Sequence, residues 1–529
     1  MATDRAPIEA MAEDTVAEPA QLRRLIAGLQ VLCLVVAGCL LYLPFRSPDR
    51  VAGKPLTEDG YYALTVARNI GLGRGVTIDG ERLTNGFQPL FTFLTAPVFM
   101  VSGESRHVPL RLVLLVHWGV LVGTAWVLGL IARDAIPRRP MEERAALGWL
   151  TGFVYLGSLH VFTMHLNGLE TGLLMLMCAL CWRFYQVRGV ERARDAAAMG
   201  ALLGLTMLAR IDAAALVAIL CVWMLVARRV KGALIAGAVA LLVSSPWWVY
   251  NRACFGTFMP SSGTAQMHFE LSATRLERSL QAVTQAALPM VYFGLQEAPA
   301  TTMVRVLALV GLGCLALQWR SRPKDEAPRD QARRTIAFGG CLLAAMVALV
   351  AWYTVAFAAT HFYTRYFSAL SLVSVPLLGY VGLELGRRMP RVVLGISVVL
   401  ALGFIGAVWT VACGRMGANP MYAAQLPLVR EYVPEGEAVG AGQSGTLGYF
   451  RDKVLNLDGK VNPEELRYQG RIREYLQERQ VRWFCDWPEY ADAYLGEEPE
   501  QRGWRLVGEG GGFELWHRQP GATKERTGP

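Results

Sequence analysis

The chain has 529 residues, 53% hydrophobic and 18% charged, with 52 Lys and Arg against 43 Asp and Glu. Its charges are gathered in short stretches between long apolar runs, which excludes an ordinary soluble globule and indicates a polytopic membrane protein. The net charge of +9 sits largely in those short loops, so it speaks for membrane orientation and against a nucleic-acid partner.

A bilayer core needs about 20 apolar residues per helix. Runs near that length occur at Leu22–Phe45, Val108–Ala132, Ala145–Thr163, Thr171–Val187 and Gly232–Tyr250. They recur at Thr302–Gln318, Thr335–Ala358, Tyr366–Leu385 and Val392–Ala412. Ala196–Val226 carries Arg210 and Asp212 at its centre and reads as two short helices meeting there. The first run follows a polar leader and lacks a small-residue cleavage site, so it reads as a retained span. Lys and Arg at residues 23–24, 138–139, 188–194, 228–231, 320–334 and 387–391 mark the cytoplasmic side. The intervening loops, and everything after Cys413, then face outward. Pro89–Val101 is too short to cross and reads as re-entrant or interfacial. About eleven spans result, within a range of about 11–13.

The long first outer loop, residues 46–107, contains an expected amphipathic helix at Glu58–Gly71 with Thr57 as N-cap, lying on the outer membrane surface. Glu58 and Asp59 occupy its first turn, where the helix dipole favours acids. Gly71, Gly73 and Gly75 stop it, and Thr84-Asn85-Gly86 makes a turn. The second long loop, residues 251–301, holds a turn at Pro260–Gly263 and a polar helix near Ser272–Gln285. Residues 1–413 thus form the membrane domain. Residues 414–529 read as a small soluble α/β domain: strands at Ala438–Gly440, Val454–Leu457 and Val481–Cys485, a short helix at Gly445–Phe450, an amphipathic helix at Pro463–Gln480, and a hairpin from Trp504–Val507 and Phe513–His517. Most cysteines lie in apolar runs as small buried hydrophobes. Cys413 and Cys485 are the candidates for a pair outside.

Ionisable residues in or at the ends of spans are costly and mark cavities or partners. Glu170 opens a span in L-N-G-L-E-T, Arg210 and Asp212 interrupt one in L-A-R-I-D, and His361 and Arg365 open another in T-H-F-Y-T-R-Y. All fall at the expected outer face with Glu58 and Asp59, which suggests one site for a charged ligand. The bland alternative is that each only satisfies a helix end or snorkels.

The order of these motifs resembles the GT-C superfamily of membrane glycosyltransferases that use polyprenyl-phosphate sugars. The matching pieces are Glu58-Asp59, Ala67-Arg68-Asn69, Gly73-Arg74-Gly75 and Thr84-Asn85-Gly86-Phe87-Gln88-Pro89-Leu90. Further on come Asn167-Gly168-Leu169-Glu170-Thr171, Leu208-Ala209-Arg210-Ile211-Asp212, Arg365-Tyr366 and Asn456-Leu457-Asp458-Gly459-Lys460-Val461-Asn462. The sequence departs from the pattern at Glu58, where a second Asp is common, at Ile211, which replaces Pro, and at Gln443-Ser444-Gly445, where some relatives place an acid.

The resemblance implies inverting transfer of a sugar from a polyprenyl-phosphate donor to an extracytoplasmic glycan, lipid or protein acceptor at a bacterial plasma membrane. Such chemistry needs a carboxylate base at the acceptor hydroxyl and cationic groups on the leaving phosphate. Asp59 is the first candidate base and Glu58 the reserve. Arg210, Arg365 and His361 are candidates for the phosphate, Glu170 and Asp212 for orienting sugar or metal, and Tyr61, Asn85 and Tyr363 for the sugar pocket. No dense Asp/His metal cluster is evident, so no metal site is assigned; a divalent cation is the one cofactor left open. Gly440-Ala441-Gly442-Gln443-Ser444-Gly445 matches a dinucleotide fingerprint, but a domain of about 110 residues is too small for the two-half sheet such sites use. It reads as a tight strand-to-helix turn. A transporter or flippase and a non-catalytic envelope assembly protein are the competing readings; the lack of internal repeats counts against the former.

Overall fold

The computed structural model describes residues 18–290, 329–415, 419–468 and 470–519. The expected span Thr302–Gln318 lies outside these residues. Among them, five helices are long and apolar enough to cross a membrane: Pro19–Leu41 with its extension to Phe45, Val108–Ala135, Val230–Phe255, Asp330–Ala356 and Pro390–Ala412. Two bent pairs raise this to seven, Met141–Leu156 with Leu159–Leu166 and Thr360–Tyr366 with Leu370–Gly386. The remaining expected spans appear as the helices Thr171–Arg188, Ala193–Ala209 and Ala214–Val226. The last two meet at Arg210, whose extended backbone (φ −154°, ψ 131°) ends the first helix.

Without a hydrophobic drive between helices in lipid, small residues let backbones approach. A Cβ on Gly200 would stand 2.5 Å from the Ala236 carbonyl oxygen, and one on Gly204 2.8 Å from that of Ala240. Gly129 and Gly148 face each other in the same manner. Outward faces carry Val31, Leu34, Val222, Val226, Leu241, Leu242, Val347, Val399 and Leu402, all exposed, as a lipid-facing surface requires. At the far end of Thr171–Arg188 from Glu170, Asp134 pairs with Arg133, Arg144 and Arg183 at 2.8–3.0 Å.

The Glu58–Gly71 helix forms with Thr57 as N-cap, its hydroxyl accepting from the Gly60 N–H. It does not lie on a membrane surface. Residues 60–69 are all buried, because the helix is held between the short apolar helix Pro89–Ser102 and the helix Gly445–Phe450. Gly71 lies against Ala96 and Phe99 on one side, and Tyr61 meets Tyr449 at 5.1 Å on the other. At 14 residues, Pro89–Ser102 spans about 21 Å, short of a hydrocarbon core of about 30 Å.

The C-terminal segment builds a five-stranded sheet in the order β2-β1-β3-β5-β4, with β1 Val439–Ala441, β2 Val454–Asn456, β3 Trp483–Asp486, β4 Trp504–Gly510 and β5 Phe513–Arg518. β1 pairs parallel with β2 and β3, and β3–β5 and β4–β5 are antiparallel. The single helix expected at Pro463–Gln480 is two pieces, Glu465–Tyr468 and Ile472–Glu478. Gly470, with φ +77°, turns the chain between them. Cys413 and Cys485 are free thiols.

Candidate active site

The first turn of the Glu58–Gly71 helix sends its two acids to different places. Asp59 Oδ2 accepts from Arg365 Nη1 at 3.1 Å, and Asp59 Oδ1 lies 3.6 Å from Lys460 Nζ. Burial pushes the Asp59 carboxyl up, but Lys460 and Arg365 outweigh it and hold it below the usual carboxylate range. Asp59 is therefore an anion that keeps limited access to solvent, with 16% of its side chain exposed.

Behind it, the break at Arg210 assembles a second charged group. Arg210 Nη2 donates to Asp212 Oδ2 at 2.5 Å, and Arg210 Nε lies 3.8 Å from Glu170. The Tyr353 hydroxyl donates to the same Asp212 oxygen at 2.7 Å. Arg365 and Arg210 share the ring of Tyr366, at 5.4 and 5.0 Å, so the two groups form one continuous site. Arg210 Nη1 and Arg365 Nε are buried without a hydrogen-bond partner among the described residues. Buried guanidinium nitrogens without a partner are uncommon and costly, and they set these two arginines apart from the fully paired charges around them.

The third wall comes from the loop after β2. Asp458 accepts from the Tyr62 hydroxyl at 3.1 Å and from the Lys460 backbone N–H at 3.0 Å, and lies 3.2 Å from Lys460 Nζ. Asn456 donates to Ser444 Oγ, and Asn462 to the Asn456 carbonyl. Gly459, at φ +70°, makes the turn that brings Lys460 round. Lys460 Nζ lies over the rings of Tyr62 and Phe362, at 5.9 and 5.6 Å from their centroids.

Glu58 points the other way. Its carboxylate accepts from the backbone N–H groups of Gly445 (2.5 Å) and Thr446 (3.0 Å) and from the Thr446 hydroxyl (2.5 Å). Burial pushes its pKa up to about 7 against those hydrogen bonds. The neighbouring N–H groups are also taken: Gly442 and Gln443 donate to Asp486, and Ser444 to Tyr62. The turn that matches a dinucleotide fingerprint thus spends its phosphate-type N–H groups on Asp486, Glu58 and the Tyr62 hydroxyl.

The structure brings Asp59, Arg365, Arg210, Asp212 and Glu170 together. His361 is exposed beside Phe362, ring centroids 3.9 Å apart. Three expected sugar-pocket residues are placed differently. Tyr61 and Tyr363 are fully buried; Tyr61 donates to the Ala52 carbonyl, and Tyr363 to those of Tyr353 and Phe357. Asn85 is buried and accepts from the Ser261 N–H at 3.1 Å. The two tyrosine hydroxyls and the Asn85 amide oxygen are thus engaged with backbone. Lys460, Tyr62, Tyr353 and Asp458 lie with this group, although none was given a role from the sequence. Lys460 fills the variable place of N-L-D-G-x-V-N, and its charge inside that motif was the available signal. Among the described residues no group of three His, Cys, Asp or Glu side chains is arranged to hold a metal ion.

A family model described as a domain of unknown function, DUF8728, matches residues 415–524. No curated protein matches the chain. Solved structures do. ArnT from Cupriavidus metallidurans in the apo state is 16% identical, with 93% of this chain and 98% of that chain covered at a TM-score of 0.52. The same protein bound to undecaprenyl phosphate is 14% identical, with 96% and 99% covered at 0.54. The Archaeoglobus fulgidus oligosaccharyltransferase, tethered with an acceptor peptide containing the NVT sequon, is 12% identical, with 91% and 73% covered at 0.52. The chain is a multi-pass membrane protein, and its fold is the GT-C-like fold that its sequence motifs resemble.

Proposed function

We propose that this protein is a membrane glycosyltransferase that moves a sugar from a polyprenyl-phosphate donor to a glycan, lipid or protein acceptor on the outer side of a bacterial plasma membrane. The observation that carries the proposal is Asp59. It is an ionised carboxylate held between Arg365 and Lys460, beside unmatched guanidinium N–H groups of Arg365 and Arg210. A base and an anion site adjoin each other, as displacement of a phosphate by a hydroxyl demands.

In this account Asp59 takes the proton of the acceptor hydroxyl as its oxygen attacks the anomeric carbon. The bond from that carbon to the phosphate oxygen breaks with its electron pair going to the phosphate, and the configuration inverts. Arg365 and Arg210 receive the negative charge on the leaving phosphate. Glu170 and Asp212 keep Arg210 in place, since an unpaired arginine at that depth is costly. Glu58, with both oxygens spent on residues 445 and 446, is a tie between the two units and not the base. Residues 1–413 form the membrane unit and 414–529 an extracytoplasmic unit. ArnT, bound to undecaprenyl phosphate in one solved structure, supports the donor class.

The test is release of free polyprenyl phosphate from a panel of polyprenyl-phosphate sugars by purified protein in nanodiscs, with a membrane glycolipid extract as acceptor. Release by wild type and its loss in Asp59→Asn, with the fold intact, is the expected result. Equal release by both would overturn the assignment of the base.

A further inference from the structure

We infer that Lys460 is a donor-phosphate ligand supplied by the C-terminal unit, so that the active site is complete only when that unit is docked. This rests on the glycosyltransferase reading and adds to it a catalytic residue outside the membrane unit.

Lys460 and Arg365 engage different oxygens of Asp59: Arg365 holds Oδ2, and Lys460 faces Oδ1. At 3.6 Å the Lys460–Asp59 contact is an ion pair longer than a hydrogen bond. The shorter contact, 3.2 Å, is to Asp458. Lys460 is thus anchored on Asp458 and loosely shared with Asp59, with ammonium N–H capacity left over. Burial works against its charge, but Asp458 and Asp59 outweigh burial and keep the ammonium protonated. A compact ammonium over two aromatic rings is suited to a phosphate as a point charge. When phosphate binds, Lys460 shifts its ion pair from Asp59 to the ligand and frees Asp59 Oδ1 for the acceptor hydroxyl.

The position of Lys460 is fixed from both units. The Ser261 hydroxyl, from the second long loop, donates to the Lys460 carbonyl at 2.9 Å. Gly86, from the first, lies so close that a Cβ there would meet the same carbonyl oxygen at 1.9 Å and Val461 Cα at 2.7 Å. Glu58 on Gly445 and Thr446, Tyr62 on Asp458, and Arg68 on Asp452 at 3.1 Å hold the C-terminal unit against the helix that carries Asp59. A docking contact alone does not require a cation beside the carboxylate that serves as base in this account.

The experiment is equilibrium binding of undecaprenyl phosphate, and of undecaprenol as its neutral twin, to full-length protein in nanodiscs. Wild type is expected to prefer the phosphate at least tenfold. Lys460→Met is expected to lose about tenfold in phosphate affinity with undecaprenol binding unchanged, and Lys460→Arg to recover most of it. Phosphate affinity unchanged in Lys460→Met, or equal loss of both lipids, would overturn the inference and leave the glycosyltransferase reading standing. No preference for phosphate in wild type would overturn both.

Discussion

Glu58 and Asp59 are adjacent in the chain but their carboxylates serve different units: Glu58 closes on the N–H groups of Gly445 and Thr446, whereas Asp59 closes on Arg365 across the site. Successive residues on a helix point about 100° apart. The acidic pair therefore divides into one structural and one chemical carboxylate.

Asp59→Asn is expected to lower transfer by about 10²–10⁴-fold, the range of a general base, and to lower the melting temperature modestly through the weakened pairs with Arg365 and Lys460. Glu58→Ala is expected to act on stability. It strips hydrogen bonds, each worth roughly 0.5–1.5 kcal/mol, and leaves the Gly445 and Thr446 donors unmatched. Thermal unfolding and transfer rates measured on the same preparations separate the two roles.

The pH dependence of stability follows from buried acids outside the membrane spans. Burial raises Glu58 and Glu465 to about 7 and Asp486 to about 6, from 4.5, 4.5 and 3.8. Between the lower and upper values the folded chain holds protons that the unfolded chain releases. Their contribution to stability therefore falls as pH rises from about 4 to about 7. Asp59, held low, acts oppositely: its contribution is present above the ordinary carboxylate range and is lost in acid. Melting temperature is expected to fall between pH 5 and about 8, less steeply in Glu58→Gln and in Asp486→Asn. A profile the same in all three proteins would contradict the assignment.

Arg210→Gln is expected to fold poorly. It leaves Asp212 and Glu170 without their cation, and breaking a buried pair costs about 3–5 kcal/mol. Tyr353→Phe removes the hydrogen bond to Asp212 and a longer one, 3.5 Å, from Arg210, each worth about 1 kcal/mol, and leaves the charge pairs intact. Yield of monodisperse protein in detergent ranks the two.

Gly86→Ala tests the loop contact that sets Lys460. The new methyl meets backbone on the facing loop, so the loop must shift. Overpacking of this kind costs about 1–3 kcal/mol. Transfer is expected to fall more than a neighbouring surface substitution of equal stability cost would explain.

Metal dependence is expected to be weak, with full transfer in EDTA. Loss of transfer restored by one added cation would contradict this.

The membrane class, the helix break at Arg210, the Thr57 cap and the strands of the C-terminal sheet were legible because each has a local cause: apolar length, a charge inside an apolar run, a capping hydroxyl, a period. Grouping Asp59 with Arg210, Asp212, Glu170 and Arg365 was legible because ionisable residues at span ends need partners. The site's third wall was not. Lys460 lies 401 positions from Asp59 in the numbering, and nothing local shows that a soluble loop will fold back onto the first outer helix. The same docking explains Tyr61: nothing local shows that Tyr449 will cover it. Gly470 was hidden for the opposite reason, a single left-handed residue breaking an otherwise helical pattern.

The central claim is tested most directly by offering wild type and Asp59→Asn, in nanodiscs, a panel of polyprenyl-phosphate sugars with a membrane glycolipid extract. Free polyprenyl phosphate and a glycosylated acceptor from wild type alone are expected. No release from any donor by folded wild-type protein, or equal release by the Asp59→Asn protein, would contradict the account.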